Sequence, residues 1–202
     1  MAIGLYGGTF DPIHFGHLIT TQFVLEQRNL DKIIFMPSHI SPLKQDSTPI
    51  QDIHRLEMVR LATESNSNFF VSDYEIAKGN ISYTYETLCE LKKSYDAVEL
   101  IIGLDNLLVF EKWFYPNKIF DMAKVVVMKR FTENIDTATN IYFDKAIFID
   151  TPYIEISSTE IRERIKNDLT IDYLVPQKVK EYIFNNRLYL PAKEWRKNKT
   201  SK

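Results

Sequence analysis

The chain has 202 residues, of which 45% are hydrophobic and 26% charged, and its formal net charge is −2. That length favours one domain with a real core; no apolar run reaches the ~18 residues of a membrane span, and the acidic balance excludes broad attraction to nucleic acid or an anionic membrane. Cys89 is the single cysteine, which rules out an internal disulfide and a cysteine metal cluster, and residues 1–6 lack the features of a secretory signal, so the expected compartment is the cytoplasm.

The first apolar run, 3–6, reads as a strand and leads directly into "GGTFDPIHFGH". Residues 17–27 place Leu18, Gln22 and Leu25 on one stripe, with Ile19 and Phe23 beside it, which predicts a helix packed on a sheet. A strand at 32–37 is followed by a Pro-rich loop, 37–51, and by a helix at 52–64 with Ile53, Leu56, Met58, Val59 and Leu61 as its apolar set. Further strands are predicted at 69–72, 99–103, 124–129 and 146–150, with the polar stretch 131–145 read as a mobile surface excursion. Helices close the chain at 156–168, behind capping residues, and at 175–184, where Pro176 marks a start. Several strands are apolar at consecutive positions, as in a sheet covered on both faces. The alternation predicts a Rossmann-like, doubly wound α/β fold, mostly parallel, with right-handed crossovers. Residues 1–190 are expected to form one domain. The basic tail 191–202 reads as a solvated terminus, with phosphate binding through Lys193, Arg196, Lys197, Lys199 and Lys202 as the alternative.

Gly7 and Gly8 directly after a strand allow a sharp turn or the close approach of a phosphate to backbone amides, and a turn alone is the commoner reason for such a pair. If a helix starts near Phe15, His14 and His17 lie at its positive end, where an anion would be held. A capping and a core histidine are the plainer alternatives. A spacing of three also suits metal ligation, but no third ligand is evident.

"GGTFDPIHFGHL" resembles the N-terminal signature of the nucleotidyltransferase superfamily, whose [HT]xGH hallmark stands here as His14-Phe15-Gly16-His17. "ISSTEIR" at 156–162 is similar to the second hallmark, ISSTxxR. The stretches 37–44, 54–62, 81–91, 102–113 and 175–183 look like those of bacterial nicotinate-nucleotide adenylyltransferases, so the resemblance spans nearly the whole chain. It implies the nucleotidyltransferase type of the fold and transfer of AMP from ATP to nicotinate mononucleotide, with Mg²⁺ accompanying ATP.

The same resemblance implies the roles of individual residues. His14 and His17 would donate to the α- and β-phosphates, with amides around Gly7, Gly8, Thr9 and Phe10 on phosphate oxygens. Ser157, Ser158 and Thr159 would meet the outer phosphates, and Arg162 the leaving pyrophosphate. Gly103 ends a strand, and Asp105 would accept from the adenosine ribose. Trp113 would stack on the nicotinate ring, Thr84 would bring amides to its carboxylate, and Lys44 and Arg130 would hold the mononucleotide. No protein metal site, nucleic-acid partner or membrane is expected, and a homo-oligomer is left open.

Three positions depart from the family pattern. Leu43 stands where many members carry histidine, with His39 as a candidate substitute; Glu86 replaces the usual Asp; and "FTEN" after Arg130 lacks the usual glycine-containing turn. The rivals to this reading are a sister adenylyltransferase for nicotinamide mononucleotide or phosphopantetheine, and a nucleotide-binding module that has lost catalysis.

Overall fold

Short runs rich in Val, Ile, Leu and Phe form the strands β1 (Ala2–Gly8), β2 (Lys32–Pro37), β3 (Phe69–Val71), β4 (Ala97–Gly103), β5 (Lys124–Arg130) and β6 (Ile147–Thr151). They pair in the order β3-β2-β1-β4-β5-β6, every pairing parallel. The computed structural model describes residues 1–42, 48–130 and 141–191, with the backbone alone at Arg130. The order reverses between β1 and β4, and the crevice outside the carboxyl ends of those strands is where such sheets bind ligands. Gly7 and Gly8 end β1, and Gly103 ends its neighbour β4.

Both faces of the sheet are covered. Along β1 and β2, Ile3, Leu5, Ile34 and Met36 point to one core and Tyr6, Ile33 and Phe35 to the other, the two-residue alternation of a pleated strand. The helices α1 (Phe15–Gln27), α2 (Asp52–Thr63), α3 (Tyr74–Lys78), α4 (Thr84–Leu91), α5 (Leu104–Leu108), α6 (Pro116–Met122), α7 (Ser158–Lys166) and α8 (Gln177–Asn185) fill the crossovers and the C-terminal end. Leu88, Leu107 and Ile119 from α4, α5 and α6 close one core, and Val24, Val59, Ile161 and Ile183 from α1, α2, α7 and α8 close the other. Among the described residues no helix is long and apolar enough to cross a membrane.

The strands and the four long helices lie where the sequence places them; α3 to α6, in the crossovers into β4 and β5, are additional. The buried face of α1 differs. Ile19 and Phe23 are exposed, and the helix buries Gly16, Thr21, Val24 and Leu25. Thr21 can be fully buried because its hydroxyl donates to the His17 carbonyl at 2.5 Å. On α2, Ile53 is likewise exposed, and Arg55 joins Leu56, Met58, Val59 and Ala62 inside. The 131–145 excursion ends in core, since Tyr142 and Phe143 are buried; residues 131–140 lie outside the described residues, as does the tail from 192.

Candidate active site

The turn from β1 into α1 is held by a ring under a glycine. A Cβ on Gly8 would lie 2.9 Å from the Phe10 ring. Phe10 has φ +49°, a left-handed conformation rare for such a residue, and its buried ring meets Tyr6 and His17 edge-on at 5.6 and 5.2 Å between centroids. Burying a phenylalanine is worth about 1.5–3 kcal/mol, enough to offset a backbone strain of about 1–3 kcal/mol. The strained turn therefore keeps one shape.

His14 caps α1 in an extended conformation, and its ring stacks on that of His17 at 3.7 Å and 23°. The His14 backbone N–H donates to His17 Nδ1 at 3.3 Å, which places the proton of the neutral His17 ring on Nε2. Burial pushes the His14 imidazole down to about 4, so it is neutral at pH 7, and its buried Nδ1 has no hydrogen-bond partner. Gly16 is required by this pair: a Cβ there would come within 2.9 Å of His14 Nδ1.

The C-terminal motif arrives at the same place. Ser157 caps α7 by accepting from the Glu160 N–H at 3.1 Å. Ser158 Oγ donates to the Pro12 carbonyl at 2.8 Å, and Arg162 Nη1 donates to the Asp11 carbonyl at 2.7 Å. Arg162 Nη2 donates to Thr159 Oγ1 at 3.2 Å. Residues from the two ends of the chain are thus hydrogen-bonded directly to each other.

An open cleft of about 950 Å³ lies over the ends of β1, β4 and β5. Gly7, Gly8, Thr9, Phe10, His14, His17, Gly103, Asp105, Ser157, Ser158, Thr159 and Arg162 all line it. So does Lys166 of α7, which pairs with Glu163 at 2.7 Å. A smaller cavity of about 160 Å³ adjoins it and shares Gly7, Gly8, Thr9, Ile102 and Asn106 with it. Thr84 and Trp113 line this second cavity. Trp113 stacks on Phe110 at 4.7 Å and 22°, and its buried Nε1 has no hydrogen-bond partner. Glu75, on α3, lines the same cavity. Burial pushes its carboxyl up from the ordinary carboxylate range, against hydrogen bonds from Thr87 and Ser82.

Lys44 lies outside the described residues, and Arg130 ends β5 with only its backbone described. His39, the candidate substitute at position 43, has its Nδ1 engaged by Asp52. Glu86 pairs with Lys78.

The residue that sequence reasoning missed is Arg55. It is fully buried, and its guanidinium donates to the carbonyls of Thr9 at 2.7 Å, Ser38 at 2.6 Å and Ile50 at 3.2 Å, and to Asp52. It thereby joins the loops after β1 and β2 beneath the cleft. The signal was its position on the stripe of Val59 and Ala62, where an exposed arginine would not sit.

The cytidylyltransferase-like family model matches residues 5–164. A probable nicotinate-nucleotide adenylyltransferase of Dictyoglomus thermophilum is 41% identical over 94% of this chain and 100% of its own length. The nicotinate-nucleotide adenylyltransferase of Bacillus subtilis is 40% identical over 93% of this chain and 97% of its own. Among solved structures, the nicotinic acid mononucleotide adenylyltransferase of Plasmodium falciparum complexed with NaAD superposes with a TM-score of 0.74 at 23% identity, over 93% of this chain and 97% of that one, a likeness of fold.

Proposed function

The chain belongs to the cytidylyltransferase-like family and, within it, to the nicotinate-nucleotide adenylyltransferases, and from that premise we propose how its two cavities work. The protein transfers AMP from ATP to nicotinate mononucleotide, giving nicotinate adenine dinucleotide and pyrophosphate, a step of NAD biosynthesis. The observation that carries the mechanism is the meeting of the two cavities at Gly7, Gly8 and Thr9. ATP in the larger and the mononucleotide in the smaller would bring the acceptor phosphate and the α-phosphorus together over that backbone.

The acceptor phosphate oxygen forms its bond to the α-phosphorus as the bond to the pyrophosphate oxygen breaks. Both reactants are anions, so the protein's work is alignment and neutralisation of charge, and no protein nucleophile is required. His17 offers Nε2–H, and His14, neutral in the free protein, gains a proton more readily once a polyphosphate lies beside it. Arg162 pairs with the departing pyrophosphate, and the exposed Asp105 at the start of α5 accepts from ribose hydroxyls. In the smaller cavity Trp113 stacks on the pyridine ring, and the first amides of α4, beginning at Thr84, receive the carboxylate. Lys44 and Arg130 remain our assignments for the mononucleotide phosphate.

Magnesium accompanying ATP would supply charge neutralisation on the triphosphate. Among the described residues no group of three or more His, Cys, Asp or Glu could hold it.

Nicotinate and nicotinamide mononucleotides assayed in parallel test the assignment. The acid should be favoured by at least about tenfold in kcat/KM, because the amide lacks the charge that the α4 amides would receive. Equal efficiencies would remove the acid preference, and no dinucleotide from either would remove adenylyl transfer.

A further inference from the structure

Asp11 stands between two groups that compete for its carboxylate. The Tyr189 hydroxyl donates to Asp11 Oδ1 at 2.8 Å, while Oδ2 lies 3.8 Å from Arg162 Nη1, beyond hydrogen-bond range. Arg162 Nη1 donates to the Asp11 backbone carbonyl at 2.7 Å. The Asp11 side chain is 11% exposed, and that of Arg162, on the open cleft, is 29% exposed. A forked arginine-carboxylate pair needs both carboxylate oxygens at about 2.7–2.9 Å from the guanidinium, and here the Tyr189 bond holds the carboxylate with Oδ2 at 3.8 Å from Nη1.

The segment that delivers Tyr189 is built for a fixed position. Arg187 and Tyr189 both have left-handed backbones, φ +53° and +62°, on either side of the buried Leu188, whose N–H donates to the Ile183 carbonyl at 2.9 Å. Burial, followed by the Asp11 charge, pushes the Tyr189 hydroxyl's pKa far up, so it remains a donor at every working pH. Tyr189 also lines the cleft that holds Arg162.

We propose that Tyr189 is a positioning residue for ATP: by fixing the orientation of the Asp11 carboxylate it keeps that group from closing on Arg162, so the guanidinium stays open to the triphosphate. This rests on the adenylyl-transfer reading. Without the hydroxyl, Asp11 can turn both oxygens to Arg162, and ATP must then displace a charge-assisted pair.

The test is steady-state kinetics, together with thermal melting, on the wild type, Tyr189→Phe, Asp11→Asn and the double variant. Tyr189→Phe is expected to raise KM for ATP about tenfold, the size of one charged hydrogen bond, with a smaller change in kcat. In the Asp11→Asn background the same Phe substitution should have at most a small effect, because a neutral amide does not compete for the guanidinium. An unchanged KM in Tyr189→Phe, an equal loss in both backgrounds, or a Tyr189→Phe protein that melts far below wild type would overturn the proposal. A wild-type protein that forms no dinucleotide would overturn the reading beneath it instead, so the two failures are distinguishable.

Discussion

His14 shows how one side chain couples the cleft to the stability of the fold. Its imidazole titrates near 4 in the folded protein and near the ordinary 6.5 when unfolded, because burial disfavours the charged ring. Between those values the unfolded chain binds more protons, so stability rises with pH across the window: His14 costs nothing above about 6.5 and destabilises as pH falls toward 4. The full difference is about 3 kcal/mol. Urea unfolding of the wild type and of His14→Gln between pH 4 and 7 should show the wild type losing that much more, and parallel pH slopes would contradict it. The HxGH spacing made His14 legible as a site residue. Its neutral state was not, because that comes from burial of the ring, which depends on the packing around it and not on neighbouring residues alone. Tyr189 carried no motif at all.

Among the elements, α2 departs most from its helical pattern. Ile53, in the predicted apolar set, is outside, and Arg55, on the stripe of Val59 and Ala62, is inside, because the loops after β1 and β2 turn the carbonyls of Thr9 and Ser38 toward it. Ser38 is itself buried, and its carbonyl would otherwise lack that donor. Arg55→Met should therefore cost about 3–5 kcal/mol and lower Tm by roughly 10 °C in calorimetry; a shift within about 2 °C would mean the clamp is idle. The rotation of α1 has a similar origin. The stacked His14 and His17 and the backbone bond from the Phe15 N–H to the Leu174 carbonyl at 3.0 Å set where the helix starts, which turns Val24 and Thr21 inward and leaves Ile19 and Phe23 outside. Hydrophobicity alone ranked those residues the other way.

At the scale of the whole molecule, the strand order brings Gly8, Gly103 and the start of α7 to one edge of the sheet, so ligand binding should report on the convergence of the chain's two ends. ATP at about 100 times its Kd should stabilise the protein by about 2.7 kcal/mol, or roughly 5–10 °C in Tm. Arg162→Ala should lose most of that shift in a melting titration, and an undiminished shift would separate Arg162 from the triphosphate. The strands, their alternation with helices and the two motifs were legible before any fold was known, because strand and helix periodicity and the chemistry of a Gly-Gly turn or an HxGH run are properties of neighbouring residues. Long-range packing sets the rest: Arg162 meets Asp11, Arg55 clamps the carbonyls of Thr9 and Ser38, Tyr189 reaches the cleft, and the two cavities join at Gly7, Gly8 and Thr9. Those distances are set by strand register and by crossovers that carry residues far apart in the chain to one edge, and local periodicity holds no record of them.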